Sequence, residues 1–142
     1  MKKLALMMVA AMITSLTFAQ KLQEKDVPAQ VKTAFQKQYP KASDVKWDKE
    51  GEKFEASFDL NKIDNSVLFD AQGNVLETEV EIELTQLPKG IVEYVKANYK
   101  GQKVKEAAKI TDTKGTVTYE AEVKGLDLLF DSNGKFIKET KD

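Results

Sequence analysis

Glutamate stands at every second position of Glu77-Thr78-Glu79-Val80-Glu81-Ile82-Glu83. In an extended strand successive side chains point to opposite faces. Glu77, Glu79, Glu81 and Glu83 therefore share one face, and Thr78, Val80, Ile82 and Leu84 the other. Carboxylates ~7 Å apart along a strand repel weakly in water, which favours a bound cation or a basic partner. Glu55 and Asp59 alternate with apolar residues in the same way between Phe54 and Leu60, as do Glu120 and Glu122 between Val117 and Val123. The competing reading is a solvated face whose charges discourage edge-to-edge association, balanced by Lys46, Lys53 and Lys124. Trp47, the single tryptophan, is the remaining candidate. An exposed aromatic anchors binding, whereas one sharing a strand face with Val45 belongs to a core. The candidate partner-binding residues are thus Trp47, Glu55, Asp59, Glu77, Glu79, Glu81 and Glu83.

Several chemistries are excluded or unsupported. The chain has no His and no Cys, so the usual zinc, copper and haem ligands are missing and no Ser–His or Cys–His nucleophile can form. Every basic residue is Lys, so planar bidentate recognition of phosphate or carboxylate is unavailable. Mild acidity with scattered Lys argues against nucleic acid. The seven Gly are dispersed in turns, with no phosphate-binding loop among them. A calcium loop is suggested by Asp131-Ser132-Asn133-Gly134, but Lys135 and Phe136 stand where an EF-hand needs an oxygen ligand and a Gly. No catalytic, cofactor or metal residue is assigned, and the chain is not read as an enzyme.

The elements that must position these residues begin after a separate N-terminal segment. Met1-Lys2-Lys3 is basic, Leu4 to Ile13 is apolar, and Thr17-Phe18-Ala19 supplies a small residue before Gln20. This is the layout of a secretory signal peptide, cut after Ala19, and its apolar run is too short to span a bilayer. The mature chain then has 123 residues, a net charge of −3 and no membrane span. It is expected to be soluble and periplasmic or secreted, and to reach a stable core without disulfides.

The mature chain reads as one clause written twice. Val27, Val31, Ala34, Phe35 and Tyr39 recur sixty residues later as Leu87, Ile91, Tyr94, Val95 and Tyr99. Each set draws one apolar stripe along an amphipathic helix. Pro28 and Pro88 fall in the first turns, with Asp26 the better capping candidate, and Pro40 and Gly101 end the helices. Short strands follow, and then a hairpin: Ser66 to Glu77 reads SVLFDAQGNVLE, and Asp127 to Lys138 reads DLLFDSNGKFIK. In both turns Asp can bond to the backbone ahead, while Gly supplies a positive φ. Phe54, Ala56, Phe58 and Leu60 are expected to face the helix, and Glu55, Ser57 and Asp59 to face outward. The predicted class is α+β: two tandem helix-plus-antiparallel-strands repeats, residues 20–84 and 85–142, with the helices on one face of the sheet. Glu79 to Gln86 is free of Gly, Pro and Ser, which predicts one rigid unit rather than two linked by a flexible tether.

A Leu/Val-Pro start, a helix ending in Tyr39-Pro40, the strand Val45-Lys46-Trp47, a Phe/Tyr-Glu-Ala strand and a Phe-Asp-x-x-Gly hairpin follow one another in order. This series resembles the PepSY-like family of secreted bacterial proteins, whose fold is similar to the β-lactamase inhibitor protein. It covers essentially the whole mature chain, although the second copy has Lys100-Gly101 for Tyr-Pro and lacks the Trp. The resemblance implies a helix-plus-sheet repeat, export to the periplasm and a non-catalytic role. The expectation is a binding or regulatory module for another exported protein or peptide, in its sharper form an inhibitor of an exported hydrolase. The alternative is a small-ligand or cation-binding protein using the acidic face.

Overall fold

A computed structural model describes residues 19–141. The predicted signal peptide lies outside the described residues, apart from Ala19. The chain divides into two compact units at Thr78/Glu79. Among the described residues they contain nine strands and two α-helices, an α+β fold.

The first unit holds β1 (Gln20–Leu22), α1 (Ala29–Gln38), β2 (Ser43–Glu50), β3 (Lys53–Leu60) and β4 (Ile63–Phe69). β1 to β4 pair antiparallel in chain order. β5 (Val75–Ile82) begins in this unit and ends in the next. The second unit continues with α2 (Lys89–Asn98), β6 (Glu106–Asp112), β7 (Val117–Val123), β8 (Leu126–Asp131) and β9 (Phe136–Lys141). β6 to β9 pair antiparallel in chain order as well.

Both helices follow from the apolar stripe. Val31 and Phe35 are the buried residues of α1, and Ile91 and Val95 those of α2. Pro28 and Pro88 sit at the N-cap, one position earlier than expected, where a missing N–H leaves no helical bond unmade. Asp26 does not cap α1; it lies in a 3-10 turn, Glu24–Asp26, ahead of the helix. The helices end at Tyr39 and Tyr99, each with its N–H bonded four residues back, to Phe35 and Val95. β1 and the two 3-10 turns carry no periodic signal, being only three residues each.

Strand alternation places Phe54, Ala56 and Phe58 of β3, with Val67 and Phe69 of β4, against Val27, Val31 and Phe35. The second core gathers Ala107, Ala121, Val123, Leu128 and Phe130 against Leu87, Ile91 and Val95. The repeated hairpin clause serves this packing. Asp70 Oδ1 accepts from the backbone N–H of Gln72 and Asn74 at 2.9 Å each, and Asp131 Oδ1 does the same for Asn133 and Lys135. Gly73 and Gly134 adopt φ of +85° and +81°. Gly73 is needed for space as well: a Cβ there would lie 2.8 Å from the Gln30 carbonyl oxygen in the first turn of α1. A third turn, Asp112 to Gly115, uses the same device, with Asp112 Oδ1 accepting from Lys114 and Thr116 at 2.8 Å. These aspartates are scaffold.

Candidate functional site

The face of the strands turned away from the helices carries the acidic residues singled out from the sequence. In β3 it presents Lys53, Glu55, Ser57 and Asp59, because Phe54, Ala56 and Phe58 point to the core. Antiparallel register then brings Asp48 of β2 and Leu68 of β4 opposite Glu55, Lys46 and Ser66 opposite Ser57, and Asp64 opposite Asp59. Glu50 pairs with Lys53. The equivalent face of the second unit carries Ala108, Glu120 and Leu129 in one row, and Glu106, Glu122 and Asp127 in the next.

The expected solvated face is not what the structure places there. Glu55 is 4% exposed, Glu77 8% and Glu79 0%, and Glu120 and Asp127 are buried too. Three members of the predicted site, Glu55, Glu77 and Glu79, therefore lie inside. Each unit gives its carboxylates apolar company of its own: buried Leu68 stands opposite Glu55 in the first, and buried Ala108 and Leu129 stand opposite Glu120 in the second. The signal was present in Val67-Leu68-Phe69 and Leu128-Leu129-Phe130, since consecutive apolar residues mark a strand covered on both faces.

Trp47 is corrected in the same way. Only 6% exposed, it meets Phe35 edge-on at 5.3 Å and belongs to the core. Asp59 and Glu81 are half-buried and Glu83 is exposed. Glu83 falls outside β5; its side chain caps the 3-10 turn Leu84–Gln86, while its own N–H donates to Gln86 Oε1 at 2.9 Å. The ladder thus separates into a buried pair, a half-buried residue and a cap. Val80 and Leu84, placed by alternation on the opposite side, are exposed.

Electrostatics single out Glu55. Burial pushes its carboxyl up to about 8; Glu50, Asp48 and Glu77 add to the rise, and the Ser66 hydroxyl offsets part of it. Burial raises Glu50 as well, with Asp48 adding to the effect and Lys53 opposing it. Glu55 Oε1 is buried without a hydrogen bond, and Ser66 beside it is buried as well. Asp48, Glu50 and Ser66 have no motif of their own in the sequence, and only strand register brings them to Glu55. Among the described residues no group of three or more acidic side chains is arranged to hold a metal ion, and no helix is long and apolar enough to cross a membrane.

With this geometry in view, the chain can be set beside known proteins. The family described as "Putative beta-lactamase-inhibitor-like, PepSY-like" matches over residues 16–77 and 52–138. The chain belongs to the PepSY-like family. Solved structures share its fold, among them the following three. One, described as "putative periplasmic proteins" from Bacteroides eggerthii, is 18% identical with a TM-score of 0.70, covering 81% of this chain and 88% of that one. A DUF2874 family protein from Bacteroides uniformis is 24% identical with a TM-score of 0.68, covering 80% and 88%. A BLIP-like protein from Bacteroides fragilis is 25% identical with a TM-score of 0.61, covering 80% and 86%. No curated protein matches the chain. This PepSY-like chain shares with them an α+β frame.

Proposed function

We propose that this PepSY-like chain is an exported, non-enzymatic binding module made of two tandem helix-plus-strands copies, and that it acts as an inhibitor of an exported hydrolase. Export is supported by the basic, apolar and small-residue segments of the N-terminus. It is also consistent with the description of the Bacteroides eggerthii structure. The tandem reading is supported by the order within each unit, a 3-10 turn, an α-helix and then successive strands.

The observation that carries the binding reading is the strip Val80 to Leu84 in the second unit. Val80 and Leu84 are exposed large hydrophobics, next in sequence to the half-buried Glu81 and the exposed Glu83. Apolar side chains rimmed by charge suit a protein partner with a basic border.

The test is residual hydrolase activity. β-Lactamases and secreted proteases are titrated with the purified mature chain and with a Leu84→Asp, Glu83→Lys double variant. Dose-dependent inhibition that weakens at least tenfold in the variant is expected. Full activity of every hydrolase at micromolar chain removes the inhibitor reading. Heat on calorimetric titration with calcium, abolished in the same variant, would replace it with cation binding.

A further inference from the structure

Glu55 is held in a place where a carboxylate is costly. It lies mid-strand on β3, 4% exposed, with one carboxyl oxygen buried and lacking a hydrogen bond, beside the buried Ser66. The surrounding charges are mostly of its own sign. From β2 the face receives Lys46, Asp48 and Glu50; β3 itself adds Lys53, Ser57 and Asp59; β4 brings Asp64 and Ser66; β5 contributes Glu77. Of the two lysines, Lys53 acts on Glu50. Glu50, Asp48 and Glu77 act against a further negative charge at Glu55, and the Ser66 hydroxyl offsets part of their effect.

From this arrangement we infer that Glu55 is a proton-operated latch on the first unit: neutral while the β2–β3–β4 face is closed, and loosening that face when it ionises. A protonated Glu55 brings a neutral O–H into the cluster, where the Ser66 hydroxyl is a hydrogen-bonding neighbour. An ionised Glu55 puts a negative charge among three carboxylates, with little water to screen it. The inference does not depend on the proposed inhibitor role.

The direction with pH follows from linkage. An unfolded Glu titrates near 4.5, whereas Glu55 in the folded chain titrates near 8. Between these values the native state binds more protons than the unfolded state, so stability contributed by this site falls as pH rises through the window and levels off above it. One proton of difference changes the unfolding equilibrium by up to about tenfold per pH unit.

Two measurements test this on the mature chain. The first is the Glu55 carboxyl resonance followed by NMR from pH 4 to 10, together with amide exchange of β3 and β4 corrected for its intrinsic pH dependence. A midpoint near 8 and an accelerating β3–β4 exchange above it are expected. The second is urea unfolding at pH 5.5, 7 and 8.5 for the parent and Glu55→Gln. The variant should lose the parent's downward slope and be at least tenfold more favoured toward folding than the parent at pH 8.5. If the variant fails to fold, Glu50→Gln serves instead, and the Glu55 midpoint should fall. A Glu55 midpoint in the ordinary carboxyl range, or equal pH slopes for parent and Glu55→Gln, overturns the inference.

Discussion

The two units fill the same kind of core from opposite ends. In the first, the aromatic mass sits where α1 meets β2 and β3: Phe35 packs edge-on against Trp47 at 5.3 Å and against Phe58 at 5.1 Å, with Tyr39 4.6 Å from Phe58. In the second, the positions across the same strand pairs are small. Ala107 stands opposite Ala121 as Trp47 stands opposite Ala56, and Val95 and Val123 line the helix-facing side. The aromatics have moved to the other end, where Tyr94 stacks on Phe136 at 4.9 Å and meets Phe130 edge-on at 5.5 Å. Where the second unit has Tyr94 and Phe136, the first has Ala34 and Val75 at the margin of its core. Apolar pattern is kept in both while large and small residues trade places, as expected if total volume, rather than each side chain, is what a core must satisfy.

If that exchange is real, equivalent truncations should not cost the same. Trp47→Ala and Phe35→Ala should each lower unfolding stability by about 3–5 kcal/mol, because each large ring is buried in the core. Val95→Ala, at the helix position matching Phe35, should cost nearer to 2 kcal/mol. Urea midpoints measure all three, and equal losses at Phe35 and Val95 would break the comparison.

The hairpin glycines sharpen it further. At Gly73 a Cβ meets a backbone oxygen at 2.8 Å, whereas at Gly134 the nearest atom is Pro88 Cβ at 3.2 Å. At Gly115 a Cβ meets nothing within 4 Å. All three have positive φ and share that strain. Gly73→Ala should therefore cost about 3 kcal/mol, with Gly134→Ala intermediate and Gly115→Ala about 1 kcal/mol. Thermal unfolding of the three variants gives the order, and a Gly115 loss equal to that of Gly73 contradicts close packing of the hairpin on α1.

The smallest expected difference concerns the helix ends. The Tyr99 hydroxyl donates to Glu139 of β9, and burial together with that carboxylate pushes Tyr99 up to about 12. Burial alone raises Tyr39, which sits against Phe58. Tyr99→Phe should cost about 1 kcal/mol and Tyr39→Phe close to nothing. A loss at Tyr39 as large as at Tyr99 would show that the hydroxyl contact is not what distinguishes them.

Much of this was legible in the residues themselves. The stripe Val27, Val31, Phe35 has a period only a helix can use, and the alternation Phe54, Ala56, Phe58 one only a strand can use. Asp and Gly at the first and fourth positions of a turn prescribe its backbone, so the hairpins at Asp70 and Asp131 needed no tertiary information. The exclusions of His, Cys and Arg chemistry rest on composition alone. Trp47 was ambiguous because Val45, two residues away, is exposed while Trp47 is buried. The Ser43–Lys46 stretch of β2 carries a register irregularity that breaks simple alternation.

What only the tertiary structure decided is which face is dry. Alternation states that Glu55 and Glu77 lie opposite the core residues; it is silent on what covers them, because burial is a property of neighbours distant in sequence. Register then assembles Asp48, Glu50, Ser66 and Glu77 around Glu55 from three other strands. A carboxyl group ordinary in the unfolded chain thereby titrates near 8 in the folded one. Local periodicity determined the elements of this protein; the low dielectric of a closed face determined the chemistry of its acidic residues.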